Sequence, residues 1–386
     1  MSVKNLYYEK YIKYKNKYLN LYNQIAGRIE KSEEEEEEEE RIAEEEAKKK
    51  AEEEAKKKVE KNTILITEKN INDDVEKIVT ILKNNELIKT LIIDTFSLYK
   101  HSLIKIQENL NLSKLETLTI RFNNMNYAYD ITFAKGLSEA LKKNKLIKTL
   151  NIVDILNVEV LAPVLIENTS ITTLDLNFIY SNEGFRQLVE ALKVNRSITT
   201  LSLKTDTFYE DDLNGLIEVL NGSMFGLLGS NSSITNLRIF QKNFTNYAIT
   251  KLVRAMTTNK KLKTLKFYSS YDRYLIDDDG VFAIADLLKN NKTLTSLYIN
   301  SKFYSKFKDN ASKIISTGLK ENNTMKTLSL HSSILSNNGW QFIADVLKDN
   351  TTLRHLHIIE DSTIISGEYY KLYRILSETK KISISN

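Results

Sequence analysis

The chain has 386 residues and a formal net charge of +4, too small to argue for a nucleic-acid partner by itself. Its complete lack of Cys removes disulfides, thiolate metal sites and cysteine nucleophiles together, as expected in a reducing compartment. No stretch approaches the ~18 apolar residues of a membrane span and the N-terminus lacks an apolar core of signal-peptide length, so the sequence reads as soluble and cytoplasmic.

Residues 1–30 come first in the chain. Tyr7, Tyr11, Tyr14, Tyr18, Leu21 and Ile25 alternate four- and three-residue steps, a heptad stripe that predicts an amphipathic helix. Lys4, Lys10, Lys13, Lys15 and Lys17 lie on or near its other face. Three uses fit: a cap on the end of the domain that follows, self-association through a short coiled coil, or, least favoured, contact with nucleic acid or an anionic membrane. The stretch YYEKYIKYKNKYLNLYNQ resembles an N-terminal segment recurring in proteins of giant amoeba-infecting viruses of the Mimivirus type. In those proteins Gly-Gly often follows, where this chain has Ala26-Gly27. The resemblance implies origin more than activity, and places the protein in the host cytoplasm or the virion.

Residues 31–61 change character. Glu33 to Glu40 is an unbroken acidic run, and AEEEAKKK then occurs twice from Ala43 to Lys58. Glu44 with Lys48, Glu45 with Lys49 and Glu46 with Lys50 are i,i+4 pairs in the favourable order, each contributing about 0.2–0.5 kcal/mol. No apolar stripe accompanies them, so a solvated helical spacer is expected, rising ~1.5 Å per residue. Within the eight-Glu run like charges repel, and fraying is expected there.

From residue 62 to 386 one pattern recurs in about eleven repeats: a helix-like run, an Asn, then an apolar triplet spaced LxxLxL. The triplets begin at Ile88, Leu115, Ile147, Ile171, Ile198, Ile234, Leu262, Leu294, Met325 and Leu353, with a worn copy around Ile64 and a truncated one at Ile382 and Ile384. In the copy from Gly280 to Ile299, Phe282, Ile284, Leu287 and Leu288 fall at helical spacing, while Leu297 and Ile299 alternate with polar residues as in a strand. Asn stands three residues before the triplet at 85, 144, 168, 195, 231, 259, 291, 322 and 350, where a residue tolerant of left-handed geometry can end the helix. The Asn-x-Ser/Thr sequons this creates read as repeat grammar and not as glycan sites. Pro163 is best placed in a first helical turn, which starts its helix near Ala162. The insertion at 221–230, NGSMFGLLGS, reads as a loop on its Gly content.

Stacked strands lie ~4.8 Å apart and stacked helices ~8–10 Å, so the two layers stay in step only if the stack bends with the strands inside. The expected fold is an α/β solenoid, a horseshoe with a concave parallel sheet and convex helices, preceded by the helical and charged extension. The repeats resemble the leucine-rich repeat family, specifically its long ribonuclease-inhibitor-like class. That family usually carries an Asn three residues after the triplet; here those positions read Ile155, Ile179, Asp206, Lys242, Ser270, Lys302, Ser333 and Asp361, which predicts irregular convex turns.

Residues between the apolar strand positions face the concavity. Thr dominates the first such column, a structural preference. In the C-terminal half the columns hold Arg238, Phe240, Lys266, Tyr268, Tyr298, Asn300, His331, His355 and His357, a mixture of aromatic and cationic side chains expected to bind a protein partner. His331, His355 and His357 lie ~7–8 Å apart along and across strands, too far to converge on a metal without a carboxylate, and Glu360 and Asp361 are not clearly aimed there. No cofactor is expected, and no spacing proposes a nucleophile–base pair or a carboxylate dyad. The expected function is a non-catalytic protein-interaction scaffold. The resemblance also admits a regulator of an enzyme, an inhibitor or GTPase activator, and the N-terminal segment a structural component of a virus particle or replication site.

Overall fold

The structure is a computed structural model. It describes Lys17 and most of the chain from residue 62 onward; residues 1–16, 18–61, 67, 96–104, 107, 111–113, 123–130, 154–157, 178–181, 206–209, 222–232, 242–244, 270–275, 301–307, 332, 334–338, 360–370, 373, 375–382 and 386 lie outside the described residues. The expected Tyr-stripe helix, the charged spacer, the 221–230 insertion beyond Asn221 and all of the convex-turn positions named above except Ser333 therefore fall outside it.

The strands are β1 (Thr63–Ile66), β2 (Thr90–Thr95), β3 (Thr117–Phe122), β4 (Thr149–Val153), β5 (Thr173–Asn177), β6 (Thr200–Thr205), β7 (Asn236–Gln241), β8 (Thr264–Ser269), β9 (Ser296–Asn300), β10 (Thr327–His331), β11 (His355–Ile359) and β12 (Ser383–Ser385). They form one sheet of 12 strands in strict sequence order, and every pairing is parallel. The worn first copy and the truncated last one thus both supply strands. Between them run α1 (Glu68–Asn84), α2 (Ile131–Lys143), α3 (Ala162–Glu167), α4 (Asn182–Val194), α5 (Glu210–Asn221), α6 (Asn246–Met256), α7 (Asp278–Asn290), α8 (Lys308–Glu321) and α9 (Gly339–Asp349). Successive helices pack on one another from α2 to α9. The expected α/β leucine-rich-repeat-like solenoid is the fold observed.

Each triplet places its three apolar residues in columns through the core. Leu294, Leu297 and Ile299 are buried, as are Ile171, Leu174 and Leu176 four repeats earlier. No repeat has enough apolar surface to bury alone, so each stands on its neighbours. The helices complete the core, with one correction. In α7 the buried stripe is Val281, Ile284, Ala285 and Leu288, while Phe282, expected on it, is 54% exposed. The steps of three, one and three residues from Val281 keep to one helix face; Phe282 stands about 100° away from Val281 around the axis. Pro163 sits in the first turn of α3, as its missing N–H and fixed φ require.

The recurrent Asn has a different role from the one expected. Asn168 and Asn291 have φ of −84° and −75° with extended ψ, so neither ends its helix in a left-handed conformation. Each is nearly fully buried and makes a fixed set of hydrogen bonds instead. Asn291 Oδ1 accepts from the N–H of Thr293 at 2.9 Å and of Leu294 at 2.7 Å, and Nδ2 donates to Met256 O at 2.8 Å and Asn259 O at 2.9 Å in the preceding repeat. Asn168 repeats this with Ser170, Ile171, Leu141 and Asn144. The donation to the previous helix end recurs at Asn144, Asn195, Asn259, Asn322 and Asn350. An Asn ladder therefore lies before the triplet, satisfying carbonyls that helix ends leave open. The Ser or Thr of the sequons at Asn168, Asn195, Asn291 and Asn322 joins it, as Thr293 Oγ1 does by donating to Asn259 O at 3.0 Å. In the described sequons the Asn nitrogen donates to main-chain carbonyls of the preceding repeat.

Candidate partner-binding surface

Parallel register turns the strand sequences into columns. Arg238 on β7 stands beside Lys266 on β8, then Tyr298 on β9, Ser329 on β10 and His357 on β11. One column over, Lys204 on β6 is followed by Phe240, Tyr268 and Asn300. The buried leucines and isoleucines that alternate with these residues fix which way they face.

Side chains across neighbouring strands touch. The Phe240 and Tyr268 rings stack with centroids 4.4 Å apart and planes within 6°. Lys266 Nζ lies 3.8 Å from the centroid of the Tyr298 ring, a cation–π contact. Ser329, small and buried, separates Tyr298 from His357 and lets their rings approach to 6.2 Å across two strands. Phe240, Tyr268, Tyr298, Asn300 and His357 are half-buried, and Arg238 and His355 are exposed. His331 departs from the expected surface: it is 4% exposed, and its Nδ1 accepts a hydrogen bond from the Ser333 N–H at 3.1 Å.

The electrostatics follow from burial and neighbours. Burial pushes the Tyr268 hydroxyl above its ordinary value, partly opposed by Arg238, so the ring stays neutral. Burial holds His357 below the ordinary histidine value, and His355 and Lys266 add to the effect. On β5, burial raises the Asp175 carboxyl, opposed by its hydrogen bond to Ser202 and by Arg238 and Lys204.

Charge is distributed unevenly along the concavity. In the N-terminal half Arg121 pairs with Asp94 at 3.0 Å, Glu116 takes Lys148 at 2.9 Å and Lys89 at 3.8 Å, and Asp175 on β5 interacts with Lys204 and Arg238 of the next two strands. Hydrogen bonding from Lys148 lowers the Glu116 carboxyl despite some burial. From β6 to β12 the strands carry Lys204, Arg238 and Lys266 and no carboxylate. Lys263, Lys326 and Arg354, each directly before its strand, add exposed cations along the edge of the same half. Lys204 and this basic edge are missing from the expected site. The signal for them was present in the same register, one repeat earlier and one residue before each strand. Among the described residues no group of three or more His, Cys, Asp and Glu side chains is placed to hold a metal ion, and no helix is long and apolar enough to cross a membrane.

No family model matches the chain. It is similar to NACHT, LRR and PYD domains-containing protein 14 of Mus musculus, 27% identical over 164 residues that make up 42% of this chain and 15% of that protein. The chain thus spans only a small part of that relative's length. Among solved structures it is similar to Leiomodin-1 Actin-Binding Site 2, with 29% identity over 36% of this chain and 76% of that one, but a TM-score of 0.28 gives that likeness no weight. The repeat pattern, the sheet and the relative together make the chain a leucine-rich-repeat-like protein.

Proposed function

We propose that the protein is a non-catalytic interaction scaffold, a solenoid of the ribonuclease-inhibitor-like class that holds a protein partner against the C-terminal half of its concave face. The observation that carries this reading is the preformed cluster on β7 to β11: the Phe240–Tyr268 stack, Lys266 against Tyr298, and Tyr298 beside His357. Aromatic rings and Arg on a rigid surface are the groups that dominate protein interfaces, and rings already packed on one another lose little further freedom when a partner arrives. The N-terminal stripe of Tyr7, Tyr11, Tyr14, Tyr18, Leu21 and Ile25 is assigned to self-association, and the same segment's resemblance supports a viral protein acting in the host cytoplasm. An affinity pull-down comparing wild type with a Tyr268→Ala/Tyr298→Ala/His357→Ala variant tests the face. Partners recovered with wild type are expected to be lost from the variant, and equal recovery of every partner eliminates the site.

A further inference from the structure

We propose that the stripe of Tyr7, Tyr11, Tyr14 and Tyr18 from one chain seats in the groove between α4 and α5 of a second copy, and that the exchange is reciprocal. This rests on the assignment of the stripe to self-association and names the surface that receives it. The groove lies on the helix side of the solenoid and has a volume of about 460 Å³. Phe185 and Val189 of α4 and Gly215 of α5 form its apolar floor. Gly215 puts no side chain between the helices, where a Cβ would meet Val189 Cγ1 at 2.9 Å. The walls are acidic. Five carboxylates line the groove against two cations, Arg186 and Lys193, which leaves a formal charge of −3. Lys193 ties the walls together, with Nζ 2.7 Å from Glu190 of α4 and 2.8 Å from Glu218 of α5, so one ammonium serves two carboxylates. Residues 178–181 and 206–209, which lead into α4 and α5, contain no Lys or Arg to offset the charge.

Charge and length both fit the stripe. From Tyr7 to Tyr18 the chain carries Lys10, Lys13, Lys15 and Lys17 against the single carboxylate Glu9, a formal charge of +3. As the helix its spacing predicts, that part is ~16 Å long, and the groove follows α4 from Glu183 to Lys193, ~15 Å. At ~100° per residue Lys10 and Lys17 stand beside the Tyr face on one side and Lys15 on the other. With the rings on the floor, the lysines then meet both acidic walls, the usual way an amphipathic helix enters a groove. The cleft between α8 and α9 is of similar size, about 530 Å³, but one Lys and two Asp line it, so it offers a cationic helix far less. Residues 31–61, ~46 Å at helical rise, separate the stripe from its own solenoid, and two such exchanges close a two-fold dimer.

Charge-reversed full-length chains, followed by analytical ultracentrifugation over a dilution series, test this. The groove variant is Glu183→Lys/Asp211→Lys/Asn214→Lys, at three exposed positions, and the stripe variant is Lys10→Glu/Lys15→Glu/Lys17→Glu. Each alone is expected to self-associate about tenfold or more weakly than the wild type. An equimolar mixture of the two is expected to regain the wild-type affinity within about threefold, because each stripe then meets a groove of opposite sign. A groove variant that self-associates like the wild type overturns the inference and assigns the dimer to pairing of stripe with stripe. A mixture that regains nothing, from variants that keep the wild-type urea midpoint, overturns it as well. A wild type that is monomeric at every concentration removes self-association itself, and the inference with it. None of these results bears on the pull-down that tests the concave face.

Discussion

At the scale of single residues, the Asn before each triplet carries more of the fold than its polar character promises. Asn291 satisfies two N–H groups of its own turn and two carbonyls of the repeat before it, all in a buried position. Asn291→Ala leaves those four backbone groups without their partner, and each unsatisfied buried group costs about 1–3 kcal/mol. With partial relaxation, the variant is expected to lose about 3 kcal/mol, read as a lower urea midpoint. The neighbouring Asn290→Ala, at an exposed site, should change it little. The Asn column was legible in the sequence; its bonding was not. Periodicity shows that a position is fixed, but Met256 and Asn259 lie a whole repeat away, and only the stack brings their carbonyls to Asn291. His357 makes a second case. Its pKa is depressed from 6.5 by burial, by His355 and by Lys266, so the folded protein favours the neutral ring. The unfolded chain then takes up the proton first, and the stability this ring contributes is whole above about pH 6.5 and is lost as pH falls from there towards the folded-state value. Lys266→Met removes the neighbouring ammonium. It should raise the His357 pKa in an NMR titration, whereas an unmoved pKa would show that Lys266 does not act on the ring.

At the scale of elements, the helices were legible as helices and only partly as packed surfaces. The stripe of α7 was read through Phe282, although the core takes Val281 one residue earlier. Both residues are apolar, so composition alone does not say which faces the sheet. The approach of α8 to α7 was not legible at all. A Cβ added at Gly318 would sit 2.4 Å from the carbonyl oxygen of Ala285, a backbone atom that moves only if the two helices separate. Gly318→Ala gains up to about 1 kcal/mol of helix propensity but overpacks this contact, which costs about 1–3 kcal/mol. The expected outcome is a net loss of stability in thermal or urea unfolding. Gly215→Ala meets only the side chain of Val189, at 2.9 Å, and should cost less because a methyl group yields where a backbone does not. A Gly318→Ala variant more stable than wild type would show that α7 and α8 are free to slide.

At the scale of the whole molecule, a solenoid adds units without closing on itself, so its two ends are the places where apolar surface is left over. The N-terminal end shows this. Ile81 is 42% exposed on α1, and Leu65, 49% exposed on β1, begins the concave column that Ile92 continues. Among the described residues no strand precedes β1 in the sheet. The stripe from Tyr7 to Ile25 precedes that end in sequence and is the segment proposed to join two chains. If it does, light scattering behind size exclusion will give the full chain a mass of at least twice 44.6 kDa, and a chain truncated before residue 62 will run as a monomer. A monomer in both samples sinks self-association through the stripe. If the full chain is also a monomer and the truncated chain unfolds at a lower urea concentration, the stripe belongs to the exposed end of its own solenoid, where Ile81 stands, as a cap.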